Sequence, residues 1–184
     1  MISTQRNRRR VAIVGGGPAG LAAALAAAER GARVTLIESG RDLGGQYWRH
    51  LPDDRDGAGQ EAMHHGWSKF QDLDLRVRSH VDITLLTETT VWAVDAPSSD
   101  PSAPGVAMPS LQLLTGPADA ADRVTSTLRP DAIVVATGAH DRTLPFPGWD
   151  LPGVFTGGAA QAFAKSERVA VGDNVVVAGA GPFL

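Results

Sequence analysis

The sequence has no cysteine, no long apolar run and no strong net charge, and each absence excludes a class of protein. Without cysteine, disulfides cannot form, and the expected location is the cytoplasm. No stretch approaches the roughly 20 apolar residues that a membrane-spanning helix needs. A formal net charge of −3 predicts no general attraction to nucleic acid or acidic membranes. The remainder is an ordinary globular composition of 184 residues, enough for one good core.

Four arginines lie close together near the N-terminus, at positions 6, 8, 9 and 10. Such a cluster is found in nucleic-acid-binding arms and in twin-arginine export signals. We favour a solvated segment before the first strand, because the apolar run that follows leads directly into a glycine turn.

The motif GGGPAG follows the short apolar run Val11–Val14, which is typical of a buried parallel strand. Gly15 permits a tight turn, Gly17 leaves the backbone open to a pyrophosphate, and Gly20 lets the next helix pack closely. Pro18 suits the first helical turn, where a missing N–H costs nothing. The N-terminus of this alanine-rich helix would direct free N–H groups at phosphates, so the motif predicts a dinucleotide-binding unit.

An acidic residue ends the second predicted strand, Val34–Ile37. The carboxylate of Glu38 can accept hydrogen bonds from ribose hydroxyls and would repel a 2′-phosphate, which predicts FAD or NAD rather than NADP. The loop that follows carries Gly44 and Gly45, whose backbone N–H groups can approach a bound nucleotide; a plain surface loop is the alternative.

The residues after Gly45 exclude dithiol chemistry at this point of the chain. Flavoprotein disulfide reductases that carry their redox pair just after the first βαβ unit need two thiols here, and this chain has Gln46, Tyr47 and Trp48.

The stretch 61–74 has apolar residues at helical spacing, and Met63, Trp67 and Phe70 are expected to face the core. His64 and His65 lie on the same predicted helix without a neighbouring group of metal ligands. We therefore expect no metal site.

Strand patterns return after this helix. Val81–Asp95 predicts one or two strands, and Leu111–Thr115 with Arg123–Leu128 predicts a hairpin. Together they indicate a three-stranded antiparallel insertion in place of a crossover helix. The proline-rich connection 96–110 is expected to be exposed and mobile.

The run Asp131–Gly138 again has the apolar pattern of a parallel strand, and its end places Thr137 and Gly138 as candidates for contact with the nucleotide. Prolines keep the stretch 139–158 irregular, and a short helix is predicted over 158–166.

The last residues, Asn174–Leu184, repeat the pattern of strand and glycine turn, with Gly179 and Gly181. We expect residues 1–168 to form an α/β, Rossmann-like FAD-binding domain with a parallel sheet and a small antiparallel insertion. Residues 169–184 would begin a second dinucleotide-binding domain, and because its helix and acid are missing we expect a truncated chain.

These motifs, in this order, resemble the flavoproteins with two dinucleotide-binding domains. More narrowly, the sequence resembles the FAD-binding alpha (A) subunits of opine oxidases, hydrogen cyanide synthase and D-hydroxyproline or D-proline dehydrogenases. The stretches that carry the resemblance are GGGPAG, ERG, LGGQYW, VVATGAHDRTLPFPGWDLPGV and VVVAGAGPFL.

The resemblance implies a role for several residues. The FAD pyrophosphate would be held by Gly15, Gly17, Ala19 and Gly20, and the adenosine ribose by Glu38; Pro18 is counted with the cofactor-binding residues of the same turn. Along the ribityl chain or flavin would lie Gly44, Gly45 and Gln46. Adenine would meet the main chain of Val91, and Thr137 with Gly138 would close the site. No catalytic side chain is identified.

Three functions fit the sequence. The first is an FAD-dependent oxidoreductase acting on an amine or an imino or amino acid, and the resemblance implies a partner beta subunit. The second is an NAD(P)H-dependent flavin reductase whose second glycine motif receives NAD(P) or another adenine nucleotide. The third is a non-catalytic nucleotide-binding subunit or inactive remnant.

Overall fold

The computed structural model describes residues 8–52, 59–96 and 109–179. The chain divides into two compact units, residues 1–48 with 66–138 and residues 49–65 with 139–184. The helices and strands, in chain order, are β1 (Arg10–Val14), α1 (Pro18–Glu29), β2 (Arg33–Ile37), α2 (Gln60–Met63), α3 (Trp67–Ser79), β3 (Ile83–Leu86), β4 (Thr89–Asp95), β5 (Ser110–Thr115), β6 (Val124–Leu128), β7 (Ala132–Val135) and α4 (Gly157–Ala162).

The first unit is built on a four-stranded parallel sheet with the order β3-β2-β1-β7. β1 lies in the middle, where Val11 pairs with Val34 on one side and with Ala132 on the other. The short apolar runs of the sequence form these strands, because strands covered on both faces need apolar residues on both. The predicted parallel strand within 131–138 is confirmed as β7.

Each face of the parallel sheet is covered by a separate layer. α1 and α3 cover one face, with a core that includes Ile13, Leu21, Leu36, Phe70 and Val77. The second face is packed against the antiparallel sheet through a smaller buried cluster: Ala12, Ile37, Leu111 and Leu113. Alternate residues of β1 and β2 therefore enter different cores, as strand geometry requires.

The antiparallel insertion is confirmed as a three-stranded sheet with the order β4-β5-β6. The stretch 81–95 forms two strands that belong to different sheets, since β3 joins the parallel sheet and β4 the antiparallel one. A bulge interrupts the ladder between Val91 and Ala93. Most of the predicted mobile connection, residues 97–108, lies outside the described residues.

The prediction of one helix over 61–74 was wrong. α2 ends at Met63, and α3 begins after Gly66, whose φ of +68° is left-handed and interrupts a right-handed helix. Met63 remains 37% exposed rather than joining the core, whereas Phe70 is buried as expected. Trp67 packs against the core from a half-buried position.

In the second unit, residues 139–156 contain no helix or strand, as the prolines predict. The short helix is confirmed as α4, which continues into a π-helical turn at Phe163–Glu167. Thr156 caps α4 by accepting a hydrogen bond from Ala159 N–H.

The predicted strand at the start of 174–184 is not formed in the described part. Residues 175–178 have no strand assignment, and Val176 is 94% exposed. A strand needs a neighbour to pair its backbone groups, and the second unit has no sheet within its described residues. Residues 180–184, with Gly181 and Leu184, lie outside the described residues, and the domain boundary at 168 stays a prediction.

An ion pair joins the beginnings of β1 and β7. The carboxylate of Asp131 accepts hydrogen bonds from Arg10 N–H and, at 2.8 Å, from the Arg10 guanidinium. The side-chain hydrogen bond and the backbone hydrogen bond from Arg10 lower the pKa of Asp131 to about 2.

A carboxyl group whose pKa is lowered by folding stabilises the folded state at pH values above its ordinary pKa. This stabilisation is lost as the pH falls towards the pKa of about 2 that Asp131 has in the folded state. We expect Asp131→Asn to lower the melting temperature at pH 7 and to differ less from the parent between pH 4 and pH 2. Thermal unfolding of both proteins across this range checks it. A difference that does not change with pH would contradict the prediction. Asp122→Asn, an exposed carboxylate between β5 and β6, is the control.

Candidate dinucleotide-binding site

The glycine turn begins where β1 ends. Gly15 has a φ of +109°, a conformation that favours glycine, and its N–H donates to the Ile37 carbonyl at 2.8 Å. A Cβ at this position would lie 2.3 Å from the carbonyl oxygen of Ala136. The turn therefore passes against the end of β7, next to the predicted nucleotide contact Thr137, and only glycine fits there.

Gly20 lies on the first turn of α1, close to the backbone of Gly15. A Cβ on Gly20 would lie 1.8 Å from the carbonyl oxygen of Gly15. The helix can approach the turn this closely because the side chain is missing. The two glycines thus set the shape of the turn, as the fingerprint predicts.

The N-terminus of α1 is open on its outer side. Gly17 is the N-cap residue, Pro18 occupies the first turn, and Ala19 is exposed. The N–H of Leu21 donates to the Gly17 carbonyl, so the N–H groups before Leu21 have no partner within the helix. A Cβ on Gly17 would meet nothing closer than the Cα of Gly45, at 3.8 Å. This mouth can present backbone donors and the positive end of the helix dipole to an anion.

The carboxylate of Glu38 faces the glycine turn. Its Oε2 accepts from Gly16 N–H and its Oε1 from Gly40 N–H, both at 2.7 Å. Ser39 Oγ donates to Oε1 at 3.2 Å. Two carboxylate oxygens offer about four acceptor positions, so a position on Oε2 remains for a ribose hydroxyl. The side chain is half-buried and held in one place before any ligand arrives.

The loop after β2 is docked on the glycine turn. Gly44 N–H donates to the Gly16 carbonyl at 2.9 Å, and a Cβ on Gly45 would lie 3.0 Å from the Cα of Gly17. Leu43 and Trp48 anchor this loop in the helix-side core, with exposures of 2% and 5%. Gly44 and Gly45 therefore lie beside the helix mouth rather than on a detached surface loop.

Four further residues were predicted to contact the nucleotide, and the structure gives each of them fewer contacts with the glycine turn. Gln46 is an exposed residue of the docked loop, and Thr137 and Gly138 are exposed after β7. Val91 packs in the second core, two residues after Thr89, whose N–H donates to the Glu38 carbonyl at 2.9 Å. The nucleotide contacts of these four residues stay predictions, as do those of the glycine turn, Glu38 and the docked loop.

Sequence reasoning missed the second glycine of GGGPAG. A Cβ on Gly16 would lie 2.5 Å from Leu43 Cδ2 and 2.9 Å from Glu38 Oε2. Gly16 also donates to Glu38 and accepts from Gly44, so it joins the turn, the acid and the loop. The signal was present as three consecutive glycines where the fingerprint itself asks for the first and the third.

His64, in the second unit, has a structural role. Both ring nitrogens of buried His64 contact carbonyl oxygens, those of Gln60 and Arg49. Within residues 8–52, 59–96 and 109–179, no three histidine or carboxylate side chains form a group that could hold a metal ion.

A parallel sheet, a glycine turn closing onto a helix N-terminus and an acid at the end of the next strand define the class of dinucleotide-binding α/β proteins. Comparison with protein families agrees with this. The pattern of the pyridine nucleotide-disulphide oxidoreductase family matches residues 9–183, and the chain belongs to this family.

Individual relatives confirm the resemblance seen in the motifs. The chain is 35% identical to the A subunit of the opine oxidase of Agrobacterium tumefaciens, over 94% of its own length and 32% of that protein's. It is also 35% identical to the HcnB subunit of the hydrogen cyanide synthase of Pseudomonas protegens, over 94% of its own length and 33% of that protein's. The chain thus spans about a third of the length of these relatives.

A solved structure agrees as well. L-Proline dehydrogenase from P. horikoshii superposes with a TM-score of 0.62 and 26% identity, over 89% of this chain and 29% of that one. The described residues include no helix with both the length and the apolar character needed to cross a bilayer. The 184 residues carry no cysteine, so this stretch cannot form a disulfide of its own.

Proposed function

We propose that this chain binds FAD at the mouth of α1 and forms part of a flavin-dependent oxidoreductase acting on an amine or an imino or amino acid. FAD, when bound, supplies the hydride chemistry. The backbone N–H groups of the first turn of α1 hold the pyrophosphate, and Glu38 accepts hydrogen bonds from the adenosine ribose. The docked loop at Gly44 and Gly45 lies along the remainder of the cofactor.

The observation that carries this proposal is the hydrogen-bonded arrangement of Gly16, Glu38 and Gly44. It places an acid and a second backbone loop at one helix mouth, with room left at Gly17. A plain structural turn needs none of these placements. The relatives named as opine oxidase, hydrogen cyanide synthase and proline dehydrogenase support the substrate class, and two of them are named as subunits, which supports a partner subunit.

Two other functions stay open to test. An NAD(P)H-dependent flavin reductase would bind a second nucleotide through the glycines of 175–184. A non-catalytic subunit would bind an adenine nucleotide alone. Absorbance separates these: purified protein with a flavin band near about 450 nm supports FAD binding. Colourless protein that still binds ADP supports the non-catalytic subunit. Bleaching of the band by NADH or NADPH, and not by an amino acid, supports the reductase.

Replacing Glu38 tests the ribose contact. In Glu38→Gln an amide NH₂ would face one of the backbone N–H groups that the carboxylate now satisfies, Gly16 N–H or Gly40 N–H. We expect FAD affinity to fall by about ten- to a hundredfold, the usual effect of losing a charged hydrogen bond. Titration of apoprotein with FAD, followed by flavin fluorescence, measures this. Glu29→Gln, an exposed acid of α1, is the control, and equal affinity in both variants would refute the assignment.

A further inference from the structure

A crevice of about 690 Å³ lies in the first unit, where β1, β2 and β3 begin and β6 ends. The strands run from this crevice towards the glycine turn, so it is at the opposite end of the sheet from the candidate FAD site. Its polar lining consists of the carboxylate of Asp82 together with four arginines and three threonines: Arg8, Arg10, Arg33, Arg129, Thr35, Thr84 and Thr127.

The register of the parallel sheet brings positive charges together here. Arg10 and Arg33 are direct neighbours on β1 and β2. Like charges in neighbouring positions repel each other unless something compensates them. Arg10 is compensated by Asp131 at 2.8 Å, and Arg8 is hydrogen-bonded to Asp82 at 2.7 Å.

Two arginines of the crevice have no such partner. Neither Arg33 nor Arg129 forms an ion pair or a side-chain hydrogen bond with another residue in the described part of the chain. The charge of Arg33 contributes to the lowered pKa of Asp82, but the hydrogen bond that lowers it most comes from Arg8. Arg33 and Arg129 each keep a guanidinium with five N–H donors at the crevice. The crevice therefore carries a positive excess of two charges, with Arg8 and Arg10 each paired to one carboxylate.

Hydroxyl donors lie next to these charges. Thr35 and Thr84 are direct neighbours on β2 and β3, and Thr35 follows Arg33 by two residues, which places both side chains on one face of the strand. Guanidinium groups with nearby hydroxyls form the donor set that recognises phosphate, because the planar fork matches two oxygens and a hydroxyl reaches a third.

We propose that this crevice binds a phosphate monoester dianion, with Arg33 and Arg129 contacting the phosphate and Thr35 and Thr84 donating to it. An excess of two positive charges matches a dianion. The space exceeds that of a phosphate group, and the side chains of Val81 and Leu128 line the rest, where an organic portion would lie. This site does not depend on FAD binding.

Isothermal titration of the full chain with phenyl phosphate, at constant ionic strength, tests the proposal. We expect saturable binding by the parent, and affinity lower by about tenfold or more in Arg33→Gln and in Arg129→Gln. Arg33→Lys should be intermediate, because it keeps the charge and loses the fork. The matched control is Arg76→Gln, an exposed arginine of α3 that pairs with Glu29 and Asp72, and it should bind as the parent does.

Several results would overturn the proposal. They are no saturable binding, equal affinity in parent and Arg33→Gln, or binding of succinate as tight as that of phenyl phosphate. Displacement of phenyl phosphate by FAD, whose pyrophosphate has no terminal phosphate group, would place the ligand at the glycine turn instead and would also overturn it. If Arg33→Gln does not fold by circular dichroism, Arg33→Lys and Arg129→Gln decide the question. Loss of affinity in both supports the site, and unchanged affinity in both refutes it.

Discussion

Gly20→Ala is expected to destabilise the first unit by about 3 kcal/mol or more and to abolish FAD binding with it. The added methyl group would lie 1.8 Å from the Gly15 carbonyl oxygen, which belongs to backbone and cannot rotate away. α1 would have to move off the turn, and its contacts with the buried core would be lost. Urea unfolding followed by circular dichroism measures the change.

The matched control for this variant is the same substitution three residues earlier. In Gly17→Ala the new methyl group meets no atom closer than 3.8 Å, and the φ of −77° suits alanine. We expect the unfolding free energy of Gly17→Ala to stay within about 1 kcal/mol of the parent. If Gly20→Ala unfolded at the same urea concentration as Gly17→Ala, the close packing of helix on turn would be refuted.

Gly17→Val is expected to leave the fold intact and to remove FAD binding. Its side chain would project from the mouth of α1 into the space where the pyrophosphate must approach the backbone. We expect the flavin content of the purified variant to fall by about a hundredfold, which corresponds to the loss of several backbone hydrogen bonds to a charged group. Flavin absorbance per protein, measured beside the circular dichroism spectrum, checks both parts.

Ala22→Val is the control for this second experiment, because it places the same valine side chain at an exposed position of the same helix. It should retain flavin. Equal flavin content in Gly17→Val and Ala22→Val would show that the mouth of α1 does not hold the cofactor. Together with the Gly20 pair, the two experiments separate loss of the fold from loss of the ligand.

The fingerprint region could be predicted because its constraints are local. Gly15 needs a positive φ, Gly20 lies five positions later in the first turn of α1, and the strand and helix patterns are continuous in sequence. The hairpin of β5 and β6 and the strand β7 were predicted for the same reason. The break at Gly66 was missed, because the apolar spacing of Met63, Trp67 and Phe70 passes through the glycine without interruption.

Three consecutive glycines hinted at a role for Gly16, but its contacts with Glu38 and Leu43 could not be predicted, since these residues are more than 20 positions away. Glu38 accepts from Gly16 N–H, which lies 22 positions earlier in the chain, and Gly16 in turn accepts from Gly44 N–H of the docked loop. Similarly, residues 175–178 have the apolar pattern of a strand, but a strand forms only where a neighbouring strand pairs its backbone N–H and C=O groups. Within the described residues it has none.

The sequence by itself determined the strands and the first helix of the first unit, the glycines of the turn and the acid of the second strand, because backbone conformation and side-chain alternation depend on neighbours along the chain. The tertiary structure decided which of these residues come into contact. Packing of two sheets and two helices brings Gly16, Glu38 and Gly44 to one end of the strands, and it brings Arg10 beside Arg33 at the other. Register and packing are properties of the whole unit, and no short stretch of sequence contains them.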